Sequence, residues 1–308
     1  MMHAAQVLSW EEGPKYVEIP KPELPSPESG LVQIKILAVG IHQVVRSRAS
    51  GKHYSSTTLP HLPGVDGVGV LAEDPSQKVY FSAVKAGGSY AEYVNIPKND
   101  VFPLPEGLDP VQTTAMLNPG LSSWMAIRKR CYNLPSKFTV LILGASTASG
   151  RVAVSLLPTL GAGTLIGCGR NEAALKTLGL DKSIVLKNNV EETDFASLPP
   201  IDVVLDYLNG PPALHLLKSL PKDHHVQFVQ IGNLAGTSIT LPGPLLRSKD
   251  VVLSGSGFGS WNLRQMRGEL AELLQGLTKT PEQEVKVCKL QEVAEAWKET
   301  GKRIVFVP

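Results

Sequence analysis

The chain has only three cysteines, Cys131, Cys168 and Cys288, and they stand far apart. They form no CxxC pair and no metal framework, so the expected state is reduced thiols in a cytoplasmic protein. Charge of one sign is also lacking: 30 Lys and Arg face 28 Asp and Glu, leaving a formal net charge of +2. No basic stripe points to nucleic acid, and no acidic tail points to disorder. No apolar run approaches the ~18 residues that a membrane span needs. The start, Met1 to Ser9, has neither the charged beginning nor the apolar core of a signal peptide. Internal repeats and low-complexity segments are absent too. What remains is a globular chain of 308 residues, long enough to bury two cores.

Three zones follow one another. Residues 1–117 read as β-rich, with apolar runs such as Leu31 to Val39 and Gly67 to Leu71, punctuated by Pro20, Pro22, Pro25, Pro27, Pro60 and Pro63. That pattern suits a compact barrel with long loops. The middle zone, 118–259, alternates strand-like runs at 138–143, 164–168, 183–186, 201–206, 226–231 and 251–254 with helical spacing. Such alternation predicts a parallel sheet covered on both faces. The last zone, 260–308, predicts helices over 262–277 and 290–300 and a strand over 303–307. A lone final strand has to pair elsewhere, here back in the first domain.

The most informative stretch lies in the middle zone. The apolar run Phe138 to Leu143 meets a turn of tiny residues, Gly144, Ala145, Ser146, Thr147, Ala148, Ser149 and Gly150. A helical run with Val152, Leu156 and Leu160 follows. Strand, small-residue turn and helix N-terminus together hold a pyrophosphate, because backbone N–H groups and the positive helix end face the anion. The pattern G-x-G-x-x-G falls on Ala145, Thr147 and Gly150, so only its third glycine is present. Thr147 stands where backbone would come closest to phosphate; either its hydroxyl donates there or the pocket is degenerate. After the next strand-like run come Gly169, Arg170 and Asn171. An acid at that place holds a ribose 2′-OH, whereas an arginine fits a 2′-phosphate. The expected cofactor is therefore NADPH.

In this order, further segments carry a resemblance. Met2-His-Ala-Ala-Gln-Val7, Leu59-Pro-His-Leu-Pro-Gly-Val-Asp-Gly-Val-Gly69, Gly87-Gly-Ser-Tyr-Ala-Glu-Tyr-Val94, Pro103-Leu-Pro-Glu-Gly-Leu108 and Gly301-Lys-Arg-Ile-Val305 run in sequence. Together they resemble the medium-chain dehydrogenase/reductase superfamily, in its zinc-free quinone-oxidoreductase-like branch, over nearly the whole length. The resemblance implies an α/β chain with a GroES-like β-barrel substrate domain (1–117, completed by 260–308) and a Rossmann doubly wound cofactor domain (118–259). It implies hydride transfer from NADPH and a homodimer. The family's zinc ligands fall on His42 and on Gly64-Val-Asp66, and the four-cysteine lobe is absent. His42 and Asp66 find no third ligand, so no metal is expected.

Without a Lewis acid, the substrate oxygen must be polarised by hydrogen bonds or protonated. Tyr54, on a polar loop, is the candidate donor; alternatively it packs its ring and wets its hydroxyl. His42 either contacts cofactor ribose or substrate, or is structural. Asp66 orients Arg46 or His42, or forms a structural ion pair. By resemblance, Ser122 contacts the nicotinamide amide, and Gly232, Asn233 and Gly255 line the nicotinamide. Asp206 ends a strand where ligands collect, or caps the next helix. The resulting expectation is a cytoplasmic, zinc-independent reductase of a small-molecule quinone, enone or other activated alkene, with no nucleic-acid or membrane partner. Two alternatives remain: a carrier-linked enoyl reductase of a biosynthetic pathway, and a non-catalytic NADPH-binding redox sensor.

Overall fold

The longest extended run, Leu31–Gly40, serves three neighbouring strands, and the first unit is built round it. The computed structural model describes residues 1–53, 56 and 58–308. They divide into two compact units, Met1–Asn118 with Leu270–Pro308, and Pro119–Glu269. The first unit runs through β1 (Met2–Gln6), β2 (Lys15–Ile19), β3 (Leu31–Gly40), α1 (Gln43–Ala49), β4 (Asp66–Leu71), β5 (Lys78–Ser82), β6 (Tyr93–Pro97), β7 (Val101–Pro103) and the first part of α2 (Pro110–Arg130). The second unit holds β8 (Phe138–Leu143), α3 (Ala148–Leu156), β9 (Ala162–Gly169), α4 (Glu172–Lys176), β10 (Lys182–Val185), β11 (Val203–Asp206), α5 (Gly210–Ser219), β12 (Val226–Gln230), α6 (Gly243–Arg247) and β13 (Val251–Gly255). Within α7 (Leu263–Leu277) the chain returns to the first unit, ending with β14 (Val285–Lys289), α8 (Val293–Ala296) and β15 (Arg303–Val307).

Among the described residues, the main sheet of the first unit has the order β14-β15-β3-β4-β5-β7, and β6 pairs with β3. Residues Leu31 to Lys35 of β3 pair with β6, while Val39 and Gly40 pair with β15. Ile34, Ile36, Phe81, Ile96, Ile304 and Phe306 close one buried core. This is the GroES-like part of the fold, and the final strand does pair back into it.

The second unit carries a parallel sheet, ordered β10-β9-β8-β11-β12-β13 among the described residues. That is the doubly wound Rossmann order, which reverses direction between β8 and β11. Val140 and Ile142 pack with Ala153 and Leu157 of the α3 side. Leu141 and Leu143 pack with Ala213 and Leu216 of α5 on the opposite face. Both faces are covered, so β8 reads as one continuous apolar run rather than an alternating one. Each valine, leucine or isoleucine side chain buried in this way contributes about 1.5–3 kcal/mol relative to exposure.

Two features differ from the sequence pattern. The helix expected over 290–300 shortens to a 3-10 turn, Leu290–Glu292, followed by α8. Beyond α8 the bonds tighten, with the Lys298 N–H donating to the Glu295 carbonyl and the Glu299 N–H to the Ala296 carbonyl, before Gly301 turns the chain at φ +79. The units also meet inside helices, in α2 and α7, where no shift in composition marks a residue.

Candidate functional site

At the end of β8 the chain makes a turn that a side chain would obstruct. Gly144 has φ +100, and a Cβ there would come within 3.1 Å of the Leu208 side chain. At Gly150 a Cβ would stand 2.3 Å from the Gly144 carbonyl oxygen, so only glycine allows helix and strand to approach this closely. Between them Thr147 acts as the N-cap of α3, its Oγ1 accepting from the Gly150 N–H at 3.1 Å. The missing middle glycine is thus replaced by a cap. The Gly144 and Ala145 amides both donate to the Cys168 carbonyl at 2.9 Å, so these two belong to the scaffold. Ala148 and Ser149, at the first two helical positions, keep amides that no intrahelical carbonyl can take. Those amides and the positive helix end suit an anion.

Beside this turn lies a cavity of about 530 Å³, at the carboxyl ends of the parallel strands. Its volume falls in the range of small-molecule sites, roughly 300–1,000 Å³. Six of the residues assigned to the cofactor from the sequence line it together: Gly144, Ser146, Thr147, Gly169, Arg170 and Asn171. Asn171 also caps α4, its Oδ1 accepting from the Ala174 N–H at 3.0 Å. The other wall was missed. Leu186, Lys187, Asn188 and Val190 follow β10, Leu208, Pro211 and Pro212 follow β11, and Leu234 and Ala235 follow β12. The signal that finds them is positional: each group lies just past a strand-like run, where ligands of such sheets collect.

The remaining assigned residues stand outside that cavity lining. Asp206 is fully buried and ends β11. Its Oδ1 accepts from the amides of Leu208 at 2.9 Å and Asn209 at 2.8 Å, while Oδ2 has no partner among the described residues. Burial pushes its carboxyl up to about 6, against those two hydrogen bonds. The two bonds hold Asn209 at φ +56, a conformation that side-chain-bearing residues rarely adopt. Asp206 therefore closes the turn between β11 and α5 and shapes the cavity wall at Leu208, but it does not cap α5, whose N-cap is Asn209 with no side-chain cap bond. Ser122 donates to the Pro119 carbonyl at 2.6 Å and lies 3.3 Å from the Tyr207 hydroxyl, so its proton is committed inside α2. The Gly232 amide donates to the Asp206 carbonyl, Asn233 accepts through its carbonyl from the Gly236 amide, and Gly255 closes β13.

In the first unit, His42 is 2% exposed and both of its ring nitrogens are engaged. Arg303 Nη1 lies 3.2 Å from Nδ1, and Nε2 lies 3.2 Å from Asp66 Oδ1. A guanidinium only donates, so Nδ1 accepts and the ring proton sits on Nε2, facing Asp66. Asp66 Oδ2 takes the Tyr80 hydroxyl at 3.1 Å. The catalytic part given to His42 from the sequence needs a free nitrogen, and neither is free; the ring instead positions Asp66 and Arg303. Asp66 does orient His42 but not Arg46, whose guanidinium donates to the carbonyls of Trp297 and Glu299. Tyr54 lies outside the described residues. Among the described residues, no group of three His, Cys, Asp or Glu side chains could hold a metal ion, and no helix is long and apolar enough to cross a membrane.

No protein-family model matches the chain. A protein of Emericella nidulans named probable NADPH-dependent quinone reductase tdiC is 35% identical over 359 aligned residues, covering 100% of both chains. The quinone oxidoreductase of Rattus norvegicus is 29% identical over 203 residues, covering 62% of this chain and 58% of that one. A solved mycobacterial structure complexed with NADPH has a TM-score of 0.79 at 18% identity, covering 100% of both chains, which is a likeness of fold.

Proposed function

This chain belongs to the medium-chain dehydrogenase/reductase superfamily, in its zinc-free quinone-oxidoreductase-like branch, and from that premise we propose that it is an NADPH-dependent reductase of a quinone, an enone or another activated alkene. The observation that carries the reading is the cavity in which a capped small-residue turn and Arg170 meet. Bound NADPH would supply a hydride to the electrophilic carbon of the substrate. The residues present fit that cofactor: the Ala148 and Ser149 amides and the Thr147 hydroxyl suit a pyrophosphate, and Arg170 suits a 2′-phosphate. Leu186, Val190, Leu208 and Pro211 offer apolar walls to a flat base. With His42 fully engaged, the proton is left to Tyr54, a ribose hydroxyl or water. The reading also takes the protein to be a cytoplasmic homodimer.

A fluorescence titration with NADPH and NADH, followed by turnover on a panel of quinones, enones and carrier-linked enoyl thioesters, tests this. Tighter binding of NADPH, by roughly ten- to hundredfold from a charge-assisted phosphate contact, with NADPH oxidation by a quinone or enone, is the expected result. Turnover confined to thioesters would select the carrier-linked enoyl reductase. Tight binding with no oxidation by any of them would select the redox sensor, and equal affinity for both cofactors would sink the NADPH reading.

A further inference from the structure

We propose that Lys187 is a second contact for the 2′-phosphate, acting with Arg170, and that the pair together sets the preference for a phosphorylated adenosine. The inference rests on the cofactor reading above and extends it to a residue outside the motif. In the parallel pairing of β9 and β10, Val185 stands opposite Gly169. The Leu186 amide then donates to the Gly169 carbonyl at 2.9 Å. Arg170 and Lys187 therefore leave the sheet from adjoining strand ends, and both line the cavity. Lys187 is anchored at its root, its amide donating to Oγ1 of the buried Thr193 at 3.1 Å. Both side chains are exposed, and neither forms a hydrogen bond or ion pair among the described residues.

The charges nearby decide what the pair can hold. Glu172 opens α4 next to the lining residue Asn171, while Glu191 and Glu192 follow the lining residue Val190, Glu192 accepting from Asn189 Nδ2 at 2.9 Å. Lys176 Nζ binds Glu172 at 2.8 Å, and the Glu172 carboxyl is held below the ordinary range, first by that hydrogen bond and by the Lys176 charge, with Lys187 adding to it. Glu172 thus already has a lysine partner rather than standing open to a ligand. A ribose diol needs a carboxylate acceptor at this place, and Glu172 is occupied by Lys176. Two cations with Asn171 and Asn188 beside them fit instead the dianion of a phosphate monoester. The same chemistry occurs in the 2′-phosphate of NADPH and the 3′-phosphate of coenzyme A; the assignment here is to the 2′ position.

Calorimetric binding of adenosine 2′,5′-bisphosphate, adenosine 3′,5′-bisphosphate and ADP separates the possibilities without turnover. Lys187→Gln should weaken the 2′,5′-bisphosphate about tenfold and change ADP little. Lys187→Arg should restore most of the loss, which a folding defect would not allow. Arg170→Ala should weaken the same ligand, and the double variant should fall short of the product of the two losses because neighbouring cations couple. Below about pH 6, where a phosphate monoester takes up its second proton, the advantage of the 2′,5′-bisphosphate over ADP should shrink, and less so in Lys187→Gln. Full affinity of Lys187→Gln for the 2′,5′-bisphosphate overturns the assignment, and so does a 3′,5′-bisphosphate that binds as tightly. If wild-type protein binds no NADPH, the cofactor reading itself has failed. If it binds NADPH and Lys187→Gln is unimpaired, only the role of Lys187 has failed.

Discussion

Arg303 and Arg170 meet opposite fates in this chain. Arg303, in the first unit, donates to His42 Nδ1 and to the Ile41 carbonyl, in a network whose acid, Asp66, has a partner on each oxygen. Arg170, in the second unit, is exposed on a cavity rim and its side chain forms no hydrogen bond or ion pair among the described residues. The acids differ in another way: both Asp66 oxygens are bonded, whereas Asp206, outside the cavity lining, keeps one buried oxygen without a partner among the described residues. A polar group saturated by its own chain supports the scaffold, and one left open at a cavity is available to a ligand. Residue type alone does not tell these apart; neighbours do.

The comparison breaks most visibly at Asp66. Asp66→Ala would leave the Nε2 proton of His42 facing no acceptor and Arg303 with no countercharge in the network, and should cost about 3–5 kcal/mol in chemical denaturation. Arg170→Ala should stay within about 0.5 kcal/mol of wild type in the same measurement. A small effect at Asp66, or a large one at Arg170, would erase the distinction.

Asp206 sharpens it with a pH dependence. Its carboxyl lies at about 6, above the ordinary 3.8, so the folded state holds the proton more tightly than the unfolded one. The stabilisation is fully present below about pH 4 and is lost as pH rises through about 6, by on the order of 2–3 kcal/mol for a shift of this size. Asp206→Asn keeps an acceptor for the Leu208 and Asn209 amides and cannot ionise. Denaturation at pH 8 should therefore find the variant more stable than wild type, by on the order of 2 kcal/mol, and at pH 4 should find no such gain. A variant weaker at pH 8 would mean that the carboxylate charge is what holds the Asn209 turn.

The smallest effect is expected at Thr147, which is half scaffold and half site. Its oxygen is taken by the Gly150 amide, and its hydroxyl hydrogen remains to donate. Thr147→Gly should weaken NADPH and NADH alike by about 0.5–1.5 kcal/mol in direct titration. A gain in affinity would show that the released Gly150 amide is the better donor.

The parts legible in the sequence are the local ones. β8, the tiny-residue turn and Arg170 lie within one stretch of chain and are read from it directly, whereas the capping role of Thr147 appears only in the folded turn. The opposite wall of the cavity is built from Lys187, Leu208 and Leu234, which come together only because β10, β11 and β12 end at one level of the sheet. His42 shows the converse limit. A histidine near a polar loop invites a catalytic role, and the sequence offers Asp66 as one partner for it, but Arg303 lies far along the chain and only the folded pairing of β3 with β15 brings it to the ring.

The pairing of β3 with β15 also orders events in time. Every strand of the parallel sheet, from β8 to β13, leaves the ribosome before Arg303–Val307 exists. The middle of the chain can close its sheet while the beginning still waits for its last strand, with the Val39–Gly40 edge of β3 open until Val305 and Phe306 arrive. Domains emerging from the ribosome usually finish in order from the N-terminus. Here the unit that starts earlier along the chain is the later one to be completed, and an open strand edge is the part of a nascent protein most prone to pair with the wrong neighbour.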